Sequence, residues 1–385
     1  MSSSHDGLPV ERISLAERPR LLLVSRKWPP AIGGMETYAV ELQASLQEHF
    51  ALDTLALPGR PDGRPPGLAR YLAFVLRAML HCLIWGRRYE AVVFGDLLLF
   101  PAALAHRLVA PRASRLVVVY GLDVVYGRRL GLLPALYARY LRLVVALQDV
   151  FDGIIAISRH TAALAEAAGL RAPVVITPSL PDTALTRAAA PTVDIAPLTA
   201  GFARTLLCFG RLVPRKGAAW LATQVLPALP EDVGLLVVGP ATDPSQLALL
   251  RAQPRVRCLG PVDTATLAAL IRGVDLVLMP NVRVPDATDV EGFGLVAIET
   301  SALGGRLLAA RLDGIEDAVV DGVTGTLVEP GDARAWRDAI VDALDARLHE
   351  APGRQAEIAE ATRHRYSRQA QAAAFAALVR ARAPA

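Results

Sequence analysis

The sequence is poor in lysine. Only Lys27 and Lys216 occur among its 385 residues, so the other 39 basic residues are arginines. A chain with this bias uses the planar guanidinium wherever that group will serve. The two remaining lysines are therefore candidates for sites that need a compact ammonium, with chance survival as the alternative.

Cysteine and long apolar runs are also scarce. Cys82, Cys208 and Cys258 are few and scattered, which favours buried, reduced thiols in a cytoplasmic protein over a disulfide framework. No run reaches the roughly 18 consecutive uncharged apolar residues of a spanning helix. The first twenty residues have no apolar run behind a basic start, so we expect no secretory signal.

The charge is uneven along the chain. Residues 1–190 hold 21 basic and 15 acidic residues, a net charge of +6, whereas the remainder has a net charge of −2. No basic tract is interleaved with aromatic residues, which favours an anionic lipid or a phosphate as partner over nucleic acid. A composition of 53% hydrophobic and 20% charged residues predicts a folded protein, and the length suits two domains.

Short apolar runs alternate with helical patterns, as in a doubly wound α/β layer. The runs that predict buried parallel strands are 20–25, 91–95, 115–120, 153–158 and 173–178, then 205–210, 234–239, 255–260, 275–280 and 305–310. Residues 183–203 lack periodicity and predict a linker, and 351–383 predict helix. The pattern indicates two Rossmann-like domains with a cleft between them. Neither first strand is followed by GxGxxG, which disfavours a hydride-transfer enzyme.

Two loops after predicted strands have the features of anion sites. Gly33 and Gly34 follow the first strand and precede a helix, so they would let a ligand approach free backbone amides. In GRLVPRKG (210–217), Arg211 ends a strand and Lys216 precedes the next helix. Two cations in one loop suit a diphosphate, although a solvated basic loop is the alternative.

The segment VEGFGLVAIETSALGG (290–305) carries two spaced carboxylates. Glu291 precedes a predicted helix that begins near Gly292–Gly294, and Glu299 lies within it. Eight helical residues span about 12 Å, which is the reach of an extended sugar–diphosphate–ribose. One carboxylate could then hold hydroxyls at each end of such a ligand, and a solvated helix face does not explain both glutamates.

These three motifs, in this order, resemble family 4 retaining glycosyltransferases of the GT-B fold over roughly residues 20–345. The resemblance implies an acceptor-side domain at 1–190, a nucleotide-sugar domain at 191–365 and a helix at 366–385 that packs back on the first domain. It also implies a nucleotide sugar as donor, a glycan or lipid-linked acceptor, and neither a metal nor another cofactor. The donor contacts that it implies are Gly33, Gly34, Tyr120, Arg211, Lys216, Glu291, Gly292, Phe293, Gly294, Leu295 and Glu299.

Two departures from that family matter. Tyr120 stands where the family usually has the histidine of His-Gly-x-Asp, and Leu180 stands where it usually has the glycine of Pro-Asn-Gly. Tyr120, with Arg211, Lys216 and Glu291, is predicted to be catalytic. The departures leave open an inactive protein that binds a nucleotide sugar or a partner enzyme. A nucleotide-sugar epimerase of the same fold is a third hypothesis, and the glutamate pair disfavours it.

Two apolar helical stretches of the first half, 67–88 and 131–148, carry arginines. Both could simply pack on the sheet with their arginines in water. They could also lie in the interface of an anionic membrane without spanning it. We therefore expect a cytoplasmic protein that can contact the inner face of the membrane.

Overall fold

The computed structural model of the chain describes residues 18–31, 33–60, 66–181, 193–284, 289–347 and 353–382. Within them, two six-stranded sheets, both entirely parallel, are surrounded by helices.

The first sheet is built from strands β1 to β6. They are β1 (Arg20–Ser25), β2 (Ala51–Ala56), β3 (Ala91–Phe94), β4 (Ser114–Val119), β5 (Gly153–Ala156) and β6 (Val174–Val175). Their spatial order is β2-β1-β3-β4-β5-β6. The helices that connect them are α1 (Gly34–Leu46), α2 (Leu68–Trp85), α3 (Phe100–Val109), α4 (Leu122–Val125), α5 (Leu132–Ala146) and α6 (Arg159–Ala167).

The second sheet has the order β12-β11-β10-β7-β8-β9. Its strands are β7 (Arg204–Phe209), β8 (Val233–Val238), β9 (Val256–Gly260), β10 (Leu276–Met279), β11 (Leu307–Ala310) and β12 (Thr326–Val328). Its helices are α7 (Ala196–Thr199), α8 (Ala218–Trp220), α9 (Pro244–Arg251), α10 (Thr264–Gly273), α11 (Leu295–Ala302), α12 (Ile315–Ala318), α13 (Ala333–Ala346) and α14 (Arg354–Arg365). A π-helical turn, Leu221–Val225, continues α8.

Alternation along the central strands places apolar side chains on both faces of the first sheet. Leu22 and Val24 face one core, beneath α2, α3 and α5, whereas Leu21 and Leu23 face the other. That second core continues into the second domain, because Tyr120 of the first domain and Phe293 of the second belong to the same buried cluster. The two domains therefore share packed surface at the edge of the cleft.

The last helix, α15 (Arg368–Arg382), crosses back to the first domain. Gln371 accepts a hydrogen bond of 2.8 Å from the Ser45 hydroxyl on α1, and Arg368 pairs with Glu41 at 2.7 Å. Both contacts join residues more than 300 positions apart. Although α15 follows the second domain in sequence, it therefore packs on α1 of the first domain. The proposed boundary at 190/191 lies outside the described residues.

Several predictions about elements need correction. Residues 173–178 do not form a buried strand, because β6 has only two residues, and Val174 and Val175 are exposed by 37% and 38% at the sheet edge. The edge strands β2 and β12 were missed, since neither is a continuous apolar run. Cys82 and Cys208 are buried as expected, but Cys258 is only partly buried.

One helical segment is long and apolar enough to cross a membrane by length and composition, which the sequence criterion did not indicate. Leu68–Arg88 is a 21-residue helical stretch with a mean hydropathy of 1.4, and only 17% of its apolar window is buried. The criterion of an uninterrupted apolar run missed it because Arg70 and Arg77 interrupt the run.

Candidate functional site

The loop after β7 is locked against the loop after β10. Gly217 has a φ of 73°, and a Cβ atom there would lie 1.8 Å from the Pro280 carbonyl oxygen, so only glycine fits. The Val282 N–H donates to the Arg215 carbonyl at 3.0 Å. Two loops at the carboxyl ends of neighbouring parallel strands are thereby held together, at the edge of the sheet where α/β folds bind ligands.

Glu291 lies where these loops meet. Its Oε2 atom accepts hydrogen bonds from Lys216 Nζ at 2.6 Å, from Asn281 Nδ2 at 3.1 Å and from the Arg215 guanidinium. Its own N–H donates to the Asp313 carboxylate at 3.1 Å, so the backbone is fixed as well. Three polar groups therefore hold this carboxylate in one orientation, and a fourth fixes its backbone.

Charge sets the protonation state of Glu291. Its side chain is 14% exposed, and burial alone would raise its pKa. The charges of Lys216 and Arg215 outweigh burial and hold the pKa of Glu291 at about 2. The carboxylate is therefore ionised throughout the physiological range.

The pKa of Glu299 is shifted in the opposite direction, upward. It lies on α11, partly buried, and burial raises its pKa to about 7, opposed only by the charge of Lys216. No ion pair joins it to another described residue. Because α11 begins at Leu295, Glu291 lies in the turn before the helix. The predicted 12 Å spacing, which assumed helix across the whole interval, does not apply.

The residues between the two glutamates form the wall of the cleft. A Cβ atom at Gly292 would lie 2.9 Å from the Tyr120 carbonyl oxygen, and Gly294 has a φ of 100°. Phe293 is buried and packs edge-to-face on Tyr366 with 5.8 Å between ring centroids. A Cβ atom at Gly34 would lie 3.9 Å from Leu295 Cδ1. The first-domain glycine loop and the start of α11 therefore face each other.

Arg211 is exposed beside a small cavity whose lining includes Lys216, Asn281 and Val296. Its guanidinium forms no ion pair with a carboxylate of the described residues, so it remains available to an anion. Gly33, next to Gly34, is the residue before α1. The structure thus brings Arg211, Lys216 and Asn281 together at one cavity, with Glu291 bonded to the last two and Gly34 across the cleft.

Tyr120 is more enclosed than expected. Only 5% of it is exposed, and its ring packs edge-to-face on Tyr38 at 5.4 Å. Burial raises the pKa of its hydroxyl well above the usual value. Leu180, the other departure, is buried, and its N–H donates to the Tyr366 carbonyl at 2.7 Å where the chain returns to α15. A contact between Tyr120 and a donor sugar stays a prediction.

Sequence reasoning missed three residues of this site. Arg215 neighbours Lys216 in the same basic loop, and Asn281 follows β10, so both positions carried a signal. Asp313 comes from a third loop that the strand pattern does not connect with Glu291. No cluster of three metal-ligating side chains occurs in the described parts of the chain.

The fold is that of the GT-B glycosyltransferases. Sucrose-phosphate synthase from Thermosynechococcus elongatus is 20% identical and superposes with a TM-score of 0.71 over 94% of this chain and 99% of that one. Anabaena HepE, in a structure with UDP and glucose, gives a TM-score of 0.66 at 20% identity, over 94% of this chain and all of the other. These likenesses show the fold alone.

Sequence comparison points to the same class through the second domain. Residues 203–346 match the family described as Glycosyl transferases group 1. A D-inositol 3-phosphate glycosyltransferase of Corynebacterium efficiens is 34% identical over 155 residues, which is 37% of this chain. A phosphatidyl-myo-inositol mannosyltransferase of Mycobacterium leprae is 37% identical over 161 residues, which is 39% of this chain. The matches span only 35% and 40% of those relatives' lengths.

Proposed function

We propose that the protein transfers a sugar, with retention, from a UDP- or GDP-linked donor to a glycan or lipid-linked acceptor. The observation that carries this proposal is the arrangement around Glu291. A carboxylate held ionised by Lys216 and Arg215, and bonded by Asn281, lies at the ligand-binding edge of the second sheet, where Lys216 and Asn281 line a cavity with the exposed cation Arg211. The carboxylate can accept donor-sugar hydroxyls, and the cations can stabilise the departing diphosphate.

The proposed chemistry needs no dedicated base and no metal. The acceptor hydroxyl forms the new bond to the anomeric carbon as the bond to the diphosphate breaks. The leaving phosphate oxygen takes the acceptor proton, and Arg211 and Lys216 balance the charge that develops on that oxygen. Glu299, on α11, would hold the donor ribose.

The test begins with thermal stabilisation of the purified protein by a panel of UDP- and GDP-sugars. We expect one donor to raise Tm clearly and to be hydrolysed or transferred. The anomeric configuration of the product, read by NMR, then tests retention. Stabilisation without turnover for every acceptor tried would favour the inactive nucleotide-sugar-binding protein, and no stabilisation by any donor would refute both.

A membrane-bound acceptor is supported by the outer surface of the first domain. The exposed leucines of α2 follow a helical stripe, namely Leu68, Leu72, Leu76, Leu80 and Leu83. On α5, Leu132, Leu133, Leu136 and Leu143 are also exposed. Residues 68–89 and 124–148 each contain four arginines and no acidic residue. Exposed apolar side chains bordered only by cations are typical of a helix that lies in an anionic membrane interface.

The opposite face of α2 fixes the helix to the domain. Phe74, Ala78 and Cys82 are fully or almost fully buried against the first sheet. We therefore propose that α2 lies in the membrane surface and does not span the bilayer, with the protein on the cytoplasmic side.

A further inference from the structure

Lys27, the other of the two lysines, has no part in the donor site described above. It follows β1 directly, and its backbone is pinned by Ser25. The Lys27 N–H donates to Ser25 Oγ at 3.2 Å, and this hydroxyl donates to the Lys27 carbonyl at 3.0 Å. The side chain therefore starts from a fixed point at the carboxyl end of the first sheet.

Three loops at this sheet edge bring charged groups together. Arg26 and Lys27 follow β1, Asp96 follows β3, and Asp123 lies just beyond β4. We call these four residues the first-domain polar cluster. Parallel strands end at the same edge of a sheet, which explains why residues so distant in sequence meet here.

Within this cluster, Arg26 is already paired with a carboxylate. It forms an ion pair with Asp96, and the two side chains are only 14% and 2% exposed. Its guanidinium also lies 5.2 Å from the ring centroid of Tyr71 on α2. A buried pair of this kind neutralises both partners, so neither is free to bind a charged ligand.

Lys27, by contrast, has no partner. Its ammonium forms neither an ion pair nor a hydrogen bond with any described residue, although the side chain is partly buried. Burial, followed by the nearby charge of Arg26, lowers the pKa of Lys27, and the more distant carboxylates of Asp96, Glu36 and Asp123 only partly oppose this. An ammonium that is partly desolvated and forms no direct ion pair is stabilised by an anion from outside the chain.

One acceptor atom of the cluster is unpartnered, and the carboxylate of Glu36, outside the cluster, also lies near Lys27. Asp123 Oδ1 accepts the Tyr120 N–H at 3.0 Å, whereas its Oδ2 is buried without a hydrogen-bond partner. Glu36 on α1 is 9% exposed, and a Cβ atom at Gly33 would lie 2.6 Å from its Oε2. Carboxylate oxygens in such positions accept hydroxyl groups well, so the same wall suits a polyol.

This wall faces the donor site across the cleft. The loop from Lys27 leads to Gly34, which is opposite Leu295 at the start of α11. A Cβ atom at Gly121, two residues before Asp123, would lie 3.0 Å from Val290 Cγ2, next to Glu291. A molecule bound at the first-domain polar cluster would therefore lie on the acceptor side of the donor sugar.

We propose that Lys27 binds the anionic group of the acceptor, and that the acceptor is a phosphate-bearing polyol, either free or as a lipid headgroup. Asp123 and Glu36 would accept its hydroxyls. Lys216 and Arg211 already supply the cations that the donor diphosphate needs, which leaves Lys27 for the second substrate. This inference rests on the proposed function, since it requires a sugar acceptor.

The test compares acceptor binding in the wild-type protein, Lys27→Met and Lys27→Gln by calorimetry with UDP or GDP present. The probes are D-inositol 3-phosphate, phosphatidylinositol in phosphatidylcholine vesicles, and uncharged myo-inositol. We expect the wild-type protein to prefer a phosphate-bearing probe over myo-inositol, and both variants to lose about tenfold or more of that affinity. Binding of D-inositol 3-phosphate would indicate a free phosphate as the ligand, and binding of the phosphatidylinositol vesicles alone would indicate a lipid headgroup.

Nucleotide affinity provides the internal control. It should stay within about twofold in both variants, and Arg70→Gln, at an exposed arginine on α2, should leave binding of the soluble probe unchanged. Unchanged affinity in the Lys27 variants, or wild-type protein that binds neither phosphate-bearing probe, would overturn the inference. Loss of nucleotide binding in the variants would also overturn it, because Lys27 would then belong to the donor site. Wild-type protein that binds no nucleotide would refute the proposed function instead.

Discussion

Lys216 Nζ lies 2.6 Å from Glu291 Oε2, across 75 positions of sequence. Arg215 and Asn281 donate to the same oxygen, so this carboxylate is oriented before any ligand arrives. An oriented and ionised group loses little entropy on binding a hydroxyl, which is how a rigid site gains both affinity and selectivity.

Replacing Lys216 by arginine should impair the protein although the charge is kept. The Lys216 side chain is 17% exposed, and the Arg215 guanidinium already contacts the same carboxylate oxygen. A second planar guanidinium does not fit the space of a compact ammonium. We expect donor kcat/KM to fall about tenfold or more in steady-state assays. Arg204→Lys is the matched control, because Arg204 lies on β7 and forms an ion pair with Asp232 outside the site. Near wild-type turnover in Lys216→Arg would show that the scarcity of lysine carries no information here.

Tyr120 and Tyr38 form a matched pair for testing the unusual tyrosine. We predict that Tyr120→Phe lowers kcat several-fold, as expected for one lost hydrogen bond to the donor sugar. Tyr38→Phe removes a hydroxyl that has no partner in the described structure, so it should leave kcat unchanged. Equal kinetic losses in the two variants, with Tm unchanged, would contradict the role assigned to Tyr120.

Binding to anionic vesicles should depend on both the leucines and the salt. We expect co-sedimentation with phosphatidylserine-containing vesicles at about 50 mM salt and release at about 500 mM, because screening weakens the attraction of the arginines. Leu76→Glu places a charge in the middle of the exposed stripe and should abolish binding. Leu249→Glu, at a leucine of the second domain that is 46% exposed, should not. Absence of wild-type binding at low salt would favour a soluble acceptor.

The sequence predicted the central strands because each is an apolar run buried on both faces. Edge strands escaped it: β2 mixes Asp53 and Thr54 with leucines, and β12 has three residues. Half-exposed strands lack the continuous apolar signal on which such predictions depend.

The site was predictable only in part for a related reason. Arg211, Lys216 and Glu291 stand in motifs, and loops after parallel strands necessarily converge. The contacts themselves are long-range, because Asn281 and Asp313 reach Glu291 from two further loops. The residue pattern within one loop does not reveal which residues of another loop it will contact. The burial of Tyr120 against Tyr38 likewise depends on how α1 packs, which its own segment does not reveal.

Glu299 should make stability depend on pH. Its folded-state pKa of about 7 lies above the ordinary value of 4.5, so between these values the folded protein binds more protons than the unfolded chain. Stability should then fall as pH rises from about 4.5 to about 7, by about 1–3 kcal/mol, and level off above. Glu299→Gln should remove its own share of this slope in urea denaturation at pH 5 and 7.5, whereas Asp123, whose pKa burial also raises to about 7, keeps the remainder. Glu357→Gln, at an exposed glutamate of α14, should retain it, and a wild-type protein without the slope would contradict the prediction.

The two glutamates should also differ in their kinetic roles, because they have different surroundings. Glu291 is held ionised beside the loop 210–217, which is proposed to bind the diphosphate, and is assigned to the donor sugar near the reacting carbon. Contacts there can strengthen as charge develops, so we expect Glu291→Gln to lower kcat. Nucleotide affinity should stay nearly unchanged, because Arg211 and Lys216 remain.

Glu299 is assigned to the ribose, whose contacts are equal in the ground and transition states. Losing them mainly weakens donor binding, so Glu299→Gln should raise the donor KM and also weaken binding of the free nucleoside diphosphate. Calorimetry with UDP and GDP, combined with steady-state kinetics, separates the two patterns. If Glu291→Gln loses nucleotide affinity and Glu299→Gln does not, the orientation of the donor is reversed: its ribose lies at Glu291 and its sugar at Glu299.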